Sequence, residues 1–177
     1  LCVDETPTGS HWHKNAAQFM MQPIGRLHTP FYEPEGTPIQ PSAAKDVPGW
    51  VTLYPEYVPA LTDLAGFSHI ILIYVFDRAR RAQLLVKPFM DDAQHGVFAT
   101  RAPARPNPLG ISVVRLLDIQ GNILHISGVD MLDNTPLLDI KPYVPQFDPP
   151  AVERLGWLEK GVTRLNTTKD DGRFAAG

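Results

Sequence analysis

A chain of 177 residues is about the size of one domain, and its 44% hydrophobic content suits an ordinary globular core. The net charge of -3 gives no global pull toward nucleic acid, so any RNA contact must come from a local basic face. A single cysteine, Cys2, excludes an internal disulfide and any multi-cysteine metal cage. No apolar run reaches the length of a membrane span, and the first residues lack a signal pattern, so we expect a cytoplasmic chain with no membrane partner and no metal.

The 18 prolines are spread along the chain and argue for short strands joined by stiff loops. Residues 1–18 are polar and patternless and read as a flexible arm, with His11 and His13 on it as mobile rather than metal-binding groups. A first strand is expected over 19–28. The segment 29–49 holds five prolines and reads as a long, functional loop. A strand follows over 50–54 and a short helix over 57–66, with Pro59 near its start and Gly66 at its end. Residues 67–76 are almost wholly apolar and predict a strand buried on both sides at the centre of the core. His69 inside it reads as a satisfied core histidine.

Arg78, Arg80 and Arg81 then make a local basic patch. It suits a phosphate backbone, and equally a solvated edge that discourages strand pairing. Further strands are expected over 83–88 and 97–101. Pro103, Pro106 and Pro108 stiffen the next loop, holding Ala102, Arg105 and Asn107 extended. Such a loop presents fixed donors to a ligand. A hairpin is expected from 111–119 and 122–128, with Gln120-Gly121-Asn122 as its turn. Residues 137–143 form the last strand. Beyond Val144 lies a tail, helical by spacing over 152–165 and disordered after Asn166. The divisions are an arm, 1–18, a barrel domain, 19–147, and a partly helical tail, 148–177. Many short strands and few helices point to an antiparallel barrel or sandwich. No strand followed by GxGxxG marks a doubly wound cofactor site.

Four words carry more: Gly96-Val97-Phe98-Ala99-Thr100-Arg101, Arg105-Pro106-Asn107-Pro108-Leu109-Gly110, Asp130-Met131-Leu132-Asp133-Asn134-Thr135-Pro136 and Asp139-Ile140-Lys141-Pro142-Tyr143. With a weaker match running on from Ile24-Gly25-Arg26-Leu27-His28, they resemble the TrmO (TsaA-like) family of tRNA methyltransferases. The resemblance implies a single-sheet antiparallel β-barrel that pairs as a homodimer. It implies S-adenosylmethionine as cofactor and tRNA as partner, with a methyl group passed to the exocyclic nitrogen of a threonylcarbamoyl-adenosine beside the anticodon. It places the cofactor against Gln40, Pro41, Phe76, Asp77, Arg101, Leu109, Gly110, Ile111, Asp130, Met131, Leu132 and Asp133. Ile39 stands where the family's loop has an arginine.

The chemistry of these residues fits such a ligand. Arg101 offers a planar fork to a carboxylate. Asp130 and Asp133 accept from an ammonium or from hydroxyls, although Asp133 also makes good turn chemistry. Asp139 and Lys141 share one face of a strand and are either a plain ion pair or, as the family word implies, part of the cleft. The target nitrogen must lose its proton near attack, which makes Asp130 or Asp139 the candidate acceptor. Arg78, Arg80, Arg81, Arg105 and Asn107 are the candidate RNA contacts. Two rivals remain: a nucleic-acid-binding barrel without chemistry, and a hydrolase built on Asp130, Asp133 and His69 or His95, which lacks a recognisable nucleophile–base pair.

Overall fold

The computed structural model describes residues 19–40, 44–147, 153–160 and 167–175. Six strands close into one antiparallel barrel: β1 (Gly25–His28), β2 (Pro48–Leu53), β3 (His69–Val75), β6 (Leu109–Gln120), β7 (Ile123–Ser127) and β8 (Thr135–Pro142). Around the barrel the order is β1-β2-β7-β6-β3-β8, and β8 returns to β1 with Leu27 opposite Thr135. The remaining strands, β4 (Leu85–Val86) and β5 (His95–Gly96), form a small separate ribbon. The single-sheet antiparallel barrel expected above is thus the observed fold.

Strand pleating explains the core. Alternate residues of each strand point inward, so Leu27, Val51, Leu53, Ile70, Leu72, Val114, Leu124, Ile126 and Leu137 fill the barrel. This corrects the two-sided burial expected of β3. Only Ile70, Leu72 and Tyr74 are buried there, while Ile71, Ile73 and Val75 are half-buried on the outer wall, because a barrel has one interior. His69 is likewise outside the core, with Nδ1 3.0 Å from Ser68 Oγ.

Four other expectations are corrected. The first strand begins at Gly25, leaving Phe19 and Met20 exposed. The helix over 57–66 is two 3-10 helices, Pro55–Leu61 and Leu64–Gly66. Pro59 lies within the first, and Asp63, at φ 66°, breaks the run between them. The strand over 83–88 shortens to Leu85–Val86. The strand over 97–101 is a 3-10 turn, Val97–Ala99, and Phe98 is 79% exposed on it. The hairpin turns at Gly121, with φ 61°.

The arm 1–18, with His11 and His13, and Pro41 lie outside the described residues. Of the helix expected over 152–165, a 3-10 helix at Gly156–Lys160 is described. Residues 167–175, read as disordered, instead pack against the small core beside the β4–β5 ribbon and against neighbouring loops. Their sole large apolar side chain, Phe174, is buried against Val86, Val97, Ala102 and Ala104. No helix among the described residues is long and apolar enough to cross a membrane.

Candidate functional site

A cavity of about 460 Å³ opens at one end of the barrel, a size suited to a nucleoside-bearing ligand. Tyr74, Phe76 and Asp77 come to it from the end of β3, and Ile111 from the start of β6. Asp130, Met131 and Leu132 come from the β7–β8 connection. The loop after β1 adds Ile39 and Gln40, and the proline-stiffened segment adds Thr100 and Arg101. Trp157 and Asp170, from beyond the barrel, complete the wall.

The floor is a hydrogen-bonded chain. Ser112 Oγ donates to Asp130 Oδ1 at 2.7 Å, and Tyr74 Oη lies 3.0 Å from Ser112 Oγ. A serine hydroxyl has one proton, and Asp130 receives it, so Tyr74 donates to Ser112. Strand pairing sets this geometry: Leu72 stands opposite Ser112, and Tyr74 opposite Gly110. Gly110 is required there, since a Cβ at this position would lie 2.2 Å from Tyr74 Cε2. Burial pushes the Asp130 carboxyl up to about 6, against the opposing pull of the Ser112 bond and of the Arg101 charge. Burial also raises the Tyr74 phenol above its ordinary value, and the Asp130 charge adds to it.

The rim is cationic. Arg101 is exposed and donates from Nη1 to Gln40 Oε1 at 2.7 Å, joining the two loops of the mouth. Arg78 donates from Nη1 to the Tyr32 carbonyl at 2.8 Å and from Nη2 to that of Asp133 at 3.5 Å.

The cavity therefore brings together Gln40, Phe76, Asp77, Arg78, Arg101, Ile111, Asp130, Met131 and Leu132 of the residues singled out in the sequence. The others stand elsewhere. Leu109 begins β6 opposite Val75, and Gly110 packs under Tyr74. Asp133 Oδ1 accepts from the Thr29 N–H at 3.1 Å and lies 3.5 Å from His28 Nδ1, which is a turn anchor. Asp139 and Lys141 form an exposed ion pair at 2.7 Å on the outer wall of β8. Arg105 turns inward and donates from Nη1 to the carbonyls of Val97, Thr100 and Ala102, fastening the turn that carries Arg101. Arg80 donates from Nε to the Ala175 carbonyl. Arg81 and Asn107 are exposed. His95 pairs with Asp91 at 3.0 Å and stacks on Trp157 at 4.5 Å, so neither it nor His69 serves Asp130.

Sequence reading missed Tyr74, Ser112, Phe89, Trp157, Asp170 and Phe174. One signal for Ser112 was available: between Gly110 and Val114, it is a polar residue at an inward position of an otherwise apolar alternation. Among the described residues no group of His, Cys, Asp and Glu is placed to hold a metal.

Comparison with known proteins agrees with this architecture. The family described as the tRNA-methyltransferase O N-terminal domain matches residues 26–149. A Pyrococcus abyssi protein, named a probable S-adenosyl-L-methionine-binding protein, is 61% identical over 86% of this chain and 83% of its own. The mouse tRNA (adenine(37)-N6)-methyltransferase is 36% identical over 76% of this chain and 33% of its own, so the chain spans about a third of that relative. A crystal structure of TrmO from Pseudomonas aeruginosa superposes with a TM-score of 0.67 at 40% identity, covering 80% of this chain and 63% of that one. With its barrel, its cavity and a match over most of its length, the chain belongs to the tRNA-methyltransferase O N-terminal domain family.

Proposed function

We propose that this chain is an S-adenosylmethionine-dependent tRNA methyltransferase acting on an adenine N6. The finer proposal is that its target is the exocyclic nitrogen of a threonylcarbamoyl-adenosine beside the anticodon, in the cytoplasm. The observation that carries the reading is the buried Asp130 on the floor of a cavity whose rim bears Arg101. The donor set fits the cofactor: Arg101 for its carboxylate, Asp170 for its ammonium or hydroxyls, and Phe76, Ile111 and Met131 for its apolar faces. When bound, the cofactor supplies an activated methyl group with a neutral thioether as leaving group.

The chain itself aligns and deprotonates. Arg105 and Gln40 hold Arg101 in place, which orients the ligand without further reorganisation. Asp130 takes the proton from the target nitrogen onto a carboxylate oxygen as the nitrogen attacks. Its position near pH 6 leaves it ionised at neutral pH yet more basic than an ordinary aspartate. Ser112 and Tyr74 steady that oxygen through the transfer.

Calorimetry tests the reading. Wild type is expected to bind S-adenosylmethionine at micromolar strength or better, and Arg101→Ala to weaken it by roughly 1.5–3 kcal/mol, the scale of a charge-assisted hydrogen bond. No binding to wild type, or an unchanged mutant, would sink it.

The RNA contact is proposed at the exposed Arg81; Arg78, Arg80 and Arg105 are already engaged with backbone carbonyls. The affinity for tRNA should fall with added salt. Arg81→Ala should flatten the slope by about one unit and leave cofactor affinity alone. A wild-type slope in the mutant would reduce the patch to a solvated edge.

A homodimer is also proposed. Ile111 is 62% exposed and lies at both the cavity and the outer wall, alongside the half-buried Ile71 and Ile73. This apolar face suits a second copy. Light scattering that finds only monomer in a fully active sample would refute it.

A further inference from the structure

The geometry points to residues 167–175 as a structural wall of the cofactor site, with Asp170 as a cofactor-contacting residue that accepts a hydrogen bond from a cationic or hydroxyl donor of the ligand. This rests on the methyltransferase reading of the cavity.

The segment crosses the cavity as a strap tied at both edges. At one edge the Gly36 N–H donates to the Asp170 carbonyl at 2.7 Å, and the Asp170 N–H to the Thr37 carbonyl at 2.9 Å; Lys169 bridges Pro38 alongside. At the other edge the Arg80 N–H donates to the Phe174 carbonyl at 2.9 Å, and Ala175 bridges Ala79. Between the ties, Phe174 plugs the small core under β4 and β5, with its ring edge-on to Phe89 at 5.2 Å. Arg173 lies over the other side of that clasp. Its guanidinium is 5.0 Å from the Phe89 ring and donates to the carbonyls of Lys87 and Pro88, both at 3.3 Å. Backbone pairing at two edges and a buried aromatic anchor make the strap part of the folded wall.

Asp170 is the polar group this wall turns to the cavity. One carboxylate oxygen accepts the Gly172 N–H at 2.7 Å, and among the described residues the side chain forms no ion pair. The neighbouring Arg173 is engaged by Asp171 instead. A half-buried carboxylate bonded to the backbone N–H groups of Gly172 and Asp171 keeps acceptor capacity for a ligand. Asp130 is occupied by Ser112 and by the proton it receives, so a ligand carrying an ammonium and a sugar diol needs this second acceptor.

The experiment is calorimetry on the full chain and on Asp170→Asn, with S-adenosylhomocysteine and with methylthioadenosine, which keeps the sugar but lacks the ammonium. Asp170→Asn should bind S-adenosylhomocysteine roughly ten- to a hundredfold more weakly, with an unchanged melting temperature in the absence of ligand and unchanged tRNA affinity. An equal loss for methylthioadenosine assigns the contact to the sugar hydroxyls; a loss confined to S-adenosylhomocysteine assigns it to the ammonium. In wild type, either ligand should slow tryptic cleavage after Lys169 and Arg173. Full affinity in Asp170→Asn, or cleavage that ligand does not slow, overturns the proposal while the methyltransferase reading stands. Failure of wild type to bind either ligand overturns both.

Discussion

Asp130→Asn is expected to abolish most methyl transfer and, at neutral pH, to stabilise the fold. The side chain is isosteric, and its amide oxygen still accepts from Ser112, so the chain of Tyr74, Ser112 and residue 130 keeps its geometry. What is lost is the proton acceptor, typically a factor of roughly 10²–10⁴ in rate. The stability change follows from linkage. Burial raises the folded carboxyl from 3.8 to about 6, so across that window the folded state holds more protons than the unfolded one. Stability from this group is therefore present below the unfolded value and is lost as pH rises through about 6. At pH 7 the buried anion costs on the order of 1–3 kcal/mol. The asparagine variant escapes that cost, so its melting temperature should exceed that of wild type by a few degrees at pH 7–8 and match it near pH 4. Wild-type kcat/KM should fall below pH 6, and the residual activity of the variant should lack that limb. A variant with wild-type turnover would move the proton acceptor elsewhere, and one less stable at every pH would mean that the anion is held by favourable contacts.

Gly110→Ala should destabilise the barrel by about 1–3 kcal/mol or more, the scale of overpacking in a filled core. Its Cβ would lie 2.2 Å from Cε2 and 2.5 Å from Cζ of Tyr74. That ring is 3% exposed and packs edge-on to Phe76 at 5.4 Å, so it has nowhere to retreat. Any retreat also draws the phenol away from Ser112 and loosens Asp130, so catalysis should fall more than the melting temperature alone accounts for. Gly96→Ala is the control. Its Cβ would meet open space and its φ is −58°, so the change should stay within about 0.5 kcal/mol. Denaturant titrations of the two variants giving equal midpoints would refute the clash.

The barrel was largely legible because its strands obey a period of two and its hairpin turns on a glycine. Strand 97–101 was misread for a reason of range. Five residues of alternation fit a strand or a tight turn equally, and the choice is made by Arg105, whose guanidinium gathers the carbonyls of that segment. Residue type likewise revealed where cations stand but not where they aim. Arg80 and Arg105 serve backbone carbonyls, and Arg101 faces the mouth. Asp130 was legible from its word, whereas its partner Ser112 comes from a neighbouring strand through register. The strap was invisible because 167–175 carries one large apolar residue, and the backbone pairing that seats it links segments far apart in sequence.

Closure of the barrel by β1 and β8 has a kinetic consequence. Leu27 pairs with Thr135 from near the other end of the barrel sequence, and the pairing of β2 with β7 is also remote. Contacts of such sequence separation must close long loops before they return any energy, which puts folding in the slow, millisecond-to-second class. Until β8 docks, β1 presents a bare edge to other chains. The completed ring has no such edge, so the hazard of misassembly belongs to the nascent chain and ends with the last strand.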